Sequence, residues 1–151
     1  MIGMPWHASL HPDLPIVETC FSGVLTPSEL SDAAVETLTL AHTSDRILLL
    51  GDCSALVGGH SFGDLYSLAN AVRSGDKDYS SLKEAVLLPA LPAAFNLVKF
   101  WETVCNNHGI KVRSFSDRQS ALDWLLAQSP PPSRRLIPTE TPIPASNSGK
   151  N

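Results

Sequence analysis

The chain has no run of about 18 apolar residues, so nothing in it reads as a transmembrane segment. Its opening, MIGMPWHASLHPD, lacks a cationic stretch leading into a long apolar run, and a signal peptide is not expected. Lysine and arginine total 11 against 15 acidic residues and form no long basic run. A formal charge of −4 repels a phosphate backbone, which excludes nucleic acid as the expected partner. Cysteine is sparse: Cys20, Cys53 and Cys105 are far apart in sequence, make no CxxC pair and cannot all pair within one chain. They are expected to be reduced thiols, which fits a cytoplasmic protein. His7, His11, His42, His60 and His108 show no metal-ligand spacing with carboxylates, so no metal site and no cofactor are expected. Val57-Gly58-Gly59-His60-Ser61 lacks the lysine and spacing of a phosphate-binding loop, and it is no GxGxxG.

What is present is enough for one core. Hydrophobic residues make up 43% of the 151. From Ser129 the composition turns to proline and serine, with Pro130 to Pro132, Pro138, Pro142 and Pro144 before Ser-Asn-Ser-Gly. Such a stretch cannot bury a core, so residues 1–128 are read as one domain and 129–151 as a disordered tail.

The organising stretch is Arg46 to Asp64, RILLLGDCSALVGGHSFGD. Ile47 to Leu50 reads as a buried parallel strand, followed by a polar, glycine-rich turn and a helix beginning at Ser61. Around it the remaining elements fall in order. Pro5–Leu10 and Leu14–Leu25 predict a hairpin turned at His11-Pro12-Asp13, with Ile16, Glu18, Cys20 and Ser22 on one face and Val17, Thr19, Phe21 and Gly23 on the other. Thr26-Pro27-Ser28-Glu29 is a capping box with proline at the first helical position. Leu30, Ala34, Leu38 and Ala41 then recur at helical spacing. Ser61 to Asp64 repeats the capping pattern ahead of Leu65, Leu68, Ala69 and Val72. Glu84–Leu88 predicts a strand stopped by Pro89, and a third helix opens near Pro92 with Phe95, Val98, Trp101 or Glu102, and Cys105 along one stripe. Gly109 marks its left-handed end. Lys111–Phe115 is the last strand, and Ser116-Asp117-Arg118-Gln119 reads as a third capping box. The order ββαβαβαβα predicts an α/β domain with a mixed, mainly parallel sheet and packed helices.

Open α/β sheets bind ligands at the carboxyl ends of their strands. That rule places the candidate site around Asp52, Ser54, His60, Ser61 and Phe62, with Trp101 of the third helix near it. Ser61 serves as a helix N-cap on this reading. A Cys53–His60 or Ser61–His60 nucleophilic pair is conceivable, but no sequence signature supplies an orienting third group or an oxyanion site, so no enzyme is expected.

Several stretches together resemble the STAS superfamily (sulfate transporter and anti-sigma-factor antagonist), in particular its SpoIIAA-like branch of small bacterial single-domain proteins. They are Gly23-Val24-Leu25-Thr26, Arg46-Ile47-Leu48-Leu49-Leu50-Gly51-Asp52, Phe100-Trp101-Glu102, and Val112 to Leu125 with Phe115, Ala121 and Trp124-Leu125. The resemblance spans about residues 14 to 127. It implies the STAS/SpoIIAA-like fold. Phosphorylatable antagonists of the superfamily carry Asp-Ser-Ser-Gly where this chain has His60-Ser61-Phe62-Gly63. Ser61 and Gly63 match; the leading acid and second serine do not. By resemblance Ser61 is a candidate phosphorylation site. The SpoIIAA-like branch is also similar in shape to lipid-handling CRAL-TRIO domains, which implies a small apolar molecule or lipid as ligand. The expectation is a non-enzymatic binding or regulatory domain, with a phospho-switched protein–protein module as the alternative. A regulatory protein partner and a homodimer are both compatible with that reading.

Overall fold

The computed structural model of the protein describes residues 5–75, 79 and 81–127. The proline-rich tail expected from residue 129 onward lies outside the described residues. The elements are β1 (Trp6–Leu10), β2 (Ile16–Val24), α1 (Pro27–Ser44), β3 (Leu48–Gly58), α2 (Phe62–Ser74), β4 (Lys83–Leu87), α3 (Pro92–Asn107), β5 (Lys111–Phe115) and α4 (Arg118–Leu126).

The five strands form one sheet in the order β1-β2-β3-β4-β5. β1 pairs antiparallel with β2, and every later pair is parallel. Each parallel step needs a crossover, and right-handed crossovers that always advance in the same direction leave their helices on the same face. So α1, α2 and α3 share one side of the sheet, where Val17, Leu49, Cys53 and Val86 meet them. Among the described residues, α4 alone covers the opposite side, with Ala121 and Leu125 packed on Ile16, Leu50, Ala85 and Leu87.

The helix starts follow their sequence signals. Thr26 accepts from the Glu29 amide while Glu29 accepts from the Thr26 amide, and Ser61 and Asp64 repeat the exchange. Two orphan amides are satisfied at each start. At α4 the cap is Asp117, whose carboxylate accepts from the Ser120 amide at 2.8 Å, and not Ser116 as the spacing predicts. A carboxylate reaching the third amide onward does the work of the expected serine one residue later. Gly109 does take a positive φ of 82° just past α3.

The largest difference from the sequence reading is in β3. The expected turn after Leu50 is strand as far as Gly58, paired along β2 from Ile16↔Leu48 to Val24↔Gly58. Register shifts fall between Cys20 and Ser22 and between Gly23 and Val24. A bulge breaks strict alternation while preserving the ladder, so a strand with polar Asp52 and Ser54 reads as a turn. In α3 the buried residues are Ala94, Leu97, Val98, Val104 and Cys105, whereas Phe95 faces outward.

Two polar devices tie the elements together. Thr37 Oγ1 donates to the Ala33 carbonyl at 2.8 Å, which leaves Thr19 Oγ1 to donate to Thr37 across 2.6 Å between sheet and α1. Arg46, between α1 and β3, sends Nη1 to the carbonyls of His11, Leu14 and Ile16 at 3.2, 3.2 and 3.0 Å. Those three carbonyls belong to the hairpin turn and the start of β2. Arg46→Ala is therefore expected to cost about 1–3 kcal/mol, the range for charge-assisted bonds to partly buried acceptors. Urea unfolding measures it, and an unchanged midpoint would show that water replaces the guanidinium at no cost.

Candidate functional site

Between the sheet and its three crossover helices lies an apolar cavity of about 120 Å³. Leu30, Ala34, Thr37 and Leu38 of α1 line it, with Leu65, Leu68 and Val72 of α2 and Leu97, Val98 and Trp101 of α3. The sheet contributes Thr19, Phe21, Leu49, Gly51, Cys53, Glu84 and Val86. Gly51 makes room at the floor: a Cβ there would stand 3.3 Å from Glu84 Oε2. With a side chain at 51, the space beside that carboxyl would be filled.

Glu84 is the chemical centre of this chamber. It stands on β4, a strand covered on both faces, so its side chain has only the chamber to enter. Trp101 Nε1 donates to Glu84 Oε1 at 2.9 Å. Among the described residues, Oε2 has no hydrogen-bond partner. Glu84 keeps some accessible surface although it is densely surrounded. The two facts agree because a water-sized sphere fits in the cavity beside it. Desolvation raises its pKa to about 7, against the smaller downward pull of the Trp101 hydrogen bond. Close to neutral pH the carboxyl therefore exists in both forms, able to donate or only to accept.

The residues expected at the site are divided by the fold. His60 and Trp101 line the cavity. His60 Nδ1 lies 3.1 Å from the Leu25 carbonyl, which fastens the loop before α2 to the end of β2. Asp52 and Ser54 do not face the chamber. They sit on the α4 side of β3, where Asp52 Oδ1 accepts from the Ser54 amide and hydroxyl at 3.0 and 2.6 Å. Ser61 is exposed at its cap, and Phe62 is 49% exposed, tilted against Phe100 with ring centroids 4.9 Å apart. The physical reason for the division is the strand order. A crevice opens at the carboxyl ends where successive crossovers leave for opposite faces. Here the order never reverses, and the space lies beneath the helices instead.

The expected chemical pairings also resolve. Cys53 and His60 both line the cavity but share no hydrogen bond among the described residues. Burial first, and the Glu84 charge second, push the Cys53 thiol far above its usual range, so it stays protonated. On the other face Glu18, Cys20 and Asp52 bring ligand-type atoms within 4.8 Å of one another. Arg118 already holds Glu18 at 2.7 Å, and desolvation, then Glu18 and Asp52, push the Cys20 thiol up. That trio is an ion-paired surface cluster with a protonated thiol.

Sequence reasoning missed Glu84 as a site residue, although one signal was present. An acid adjoining the apolar run Ala85-Val86-Leu87-Leu88, in a strand flanked by others, must either be buried with it or mark its margin.

No protein-family model matches this sequence, and no curated protein is detectably similar to it. Among solved structures the chain resembles an uncharacterized protein of the DUF3478 family, with a SpoIIAA-like fold, from Shewanella loihica PV-4. The match has 17% identity and a TM-score of 0.52, and covers 80% of this chain and 93% of that one. No helix among the described residues is long and apolar enough to cross a membrane. The five-stranded mixed sheet, its three crossover helices on one face and α4 on the other make this a SpoIIAA-like fold.

Proposed function

We propose that the protein is a non-enzymatic binding domain that takes a small apolar molecule into the chamber between the sheet and α1–α3. The observation that carries this reading is the chamber itself, about 120 Å³ of apolar space beside one partly buried carboxyl. Close-packed interiors leave few voids larger than a water molecule, and an unfilled one costs stability. A chamber of this size is near the 150 Å³ or so that holds a benzene-sized guest in other proteins.

The alternative, a phospho-switched module centred on Ser61, has less support. Asp64 Oδ2 lies 2.9 Å from Ser61 Oγ and accepts from its amide at 2.8 Å. These two bonds, the backbone one first, hold the Asp64 carboxyl below its usual range. A phosphoryl group on Oγ would meet that carboxylate directly and lose the capping box.

Native mass spectrometry of the protein purified from its own host tests the binding reading, with Ala34→Leu as control. Ala34 lines the chamber from α1, and a leucine there would fill it. A small organic adduct on the wild-type protein, absent from Ala34→Leu, is expected. No adduct, together with no chemical-shift change at the Leu38 and Leu97 methyls under saturating benzene, would overturn the reading.

A further inference from the structure

We propose that the guest of this chamber is a compact ring-sized molecule bearing one neutral hydrogen-bonding group, a hydroxyl above all, and that Glu84 Oε2 orients it. The inference rests on the chamber being a binding site and goes further by naming the chemistry it selects.

Size sets the first limit. About 120 Å³ admits a molecule of roughly benzene size. Polarity sets the second. The walls are almost wholly apolar, so any polar group on the guest loses its water on entry and must find a protein partner. Few polar atoms are available. Thr19 and Thr37 are bonded to each other, and Thr37 also to Ala33. The His60 Nδ1 contact is to the Leu25 carbonyl. Glu84 Oε1 is held by Trp101. Three groups are left over among the described residues: Glu84 Oε2, His60 Nε2 and the Cys53 thiol, a weak donor. Of these, Glu84 Oε2 is the strongest acceptor, and Gly51 keeps the space next to it clear.

The Trp101 bond fixes the carboxyl plane, so the direction in which Oε2 presents itself is set before a guest arrives. Preorganisation of that kind converts one hydrogen bond into selectivity. A neutral hydroxyl suits this atom best. It donates to the carboxylate or accepts from the carboxylic acid, so it is matched in either state. An ammonium head would have to leave water for an apolar chamber with a single counter-charge, a far larger desolvation cost. An anionic head would meet a like charge or force Glu84 to keep its proton.

The test compares phenol with benzene, two guests that differ by one hydroxyl, by NMR titration of the full-length protein and of Glu84→Met. Phenol is expected to bind the wild type about tenfold more tightly, the worth of one good hydrogen bond, and to lose that advantage in Glu84→Met. Equal affinities in the wild type would overturn the anchoring role while leaving the chamber a binding site. An advantage that survives in Glu84→Met would do the same. Binding of neither guest would overturn the chamber reading itself. If Glu84→Met does not fold, the carboxyl carbon of Glu84 in labelled wild-type protein decides. Phenol should move its resonance by more than benzene does, and equal movement counts against the proposal.

Discussion

Gly59→Ala is expected to lower the unfolding free energy by about 3 kcal/mol or more, from one added methyl group. Gly59 has a φ of +108°, a region that L side chains rarely adopt. A Cβ there would collide with the Leu25 carbonyl oxygen, and would stand 2.8 Å from the Leu25 carbonyl carbon and 2.7 Å from Val24 Cγ1. The backbone it strikes is poorly placed to yield. The Leu25 amide donates to the Gly58 carbonyl at 2.8 Å, and His60 Nδ1 lies 3.1 Å from the Leu25 carbonyl. Leu25 itself is completely buried in the core. Strain and overlap therefore add, since relieving one worsens the other. Urea denaturation of Gly59→Ala against the wild type checks this, and a loss under 1 kcal/mol would mean that the β3–α2 loop repacks freely.

Glu84→Gln is expected to abolish a pH dependence of stability that the wild type shows between about pH 4.5 and 7. The folded protein holds the Glu84 proton up to about pH 7 because the ionised form is desolvated. The unfolded chain releases it near the ordinary glutamate value, about 4.3. Below that value both states are protonated and stability is at its full level. Between the two values the unfolded state alone ionises, so stability falls as pH rises. Above about 7 both are ionised and the loss is complete, on the order of 3 kcal/mol by linkage. Glutamine keeps the acceptor for Trp101 Nε1 and has no proton to lose. The variant should match the wild type near pH 4 and exceed it by a few kcal/mol at pH 8. Parallel slopes for the two proteins across that window would show that Glu84 is not the group responsible.

Most of the fold was legible in the sequence because its signals are local. Thr26-Pro27-Ser28-Glu29 and Ser61 to Asp64 start helices through contacts three residues apart, which a linear reading sees. Lys111–Phe115 was bounded on both sides by Gly109 and a cap. β3 was half read, because its second part is strand only by pairing with β2, and the register shifts there hide the alternation. The site was less legible still. A cavity is a property of what three helices and a sheet fail to fill, and no local pattern encodes that. His60 and Trp101, placed at the site by the carboxyl-end rule, do line it. Asp52 and Ser54 came from the same rule, which opens a crevice where strand order reverses; here it does not reverse, and their strand positions turn them to the α4 side. Glu84 looked like the polar margin of a strand because its burial comes from α3 above it, through Trp101.

The uninterrupted strand order has one more consequence. The roof of the chamber is assembled from α1, α2 and α3, three crossovers drawn from most of the chain. Any partial opening that lifts one of them also destroys the chamber. A guest that binds only the intact space would therefore oppose each of those openings by the same free energy. Its presence would be felt in slowed amide exchange across all three helices at once, including segments that never touch it, and the domain would behave as a single cooperative unit.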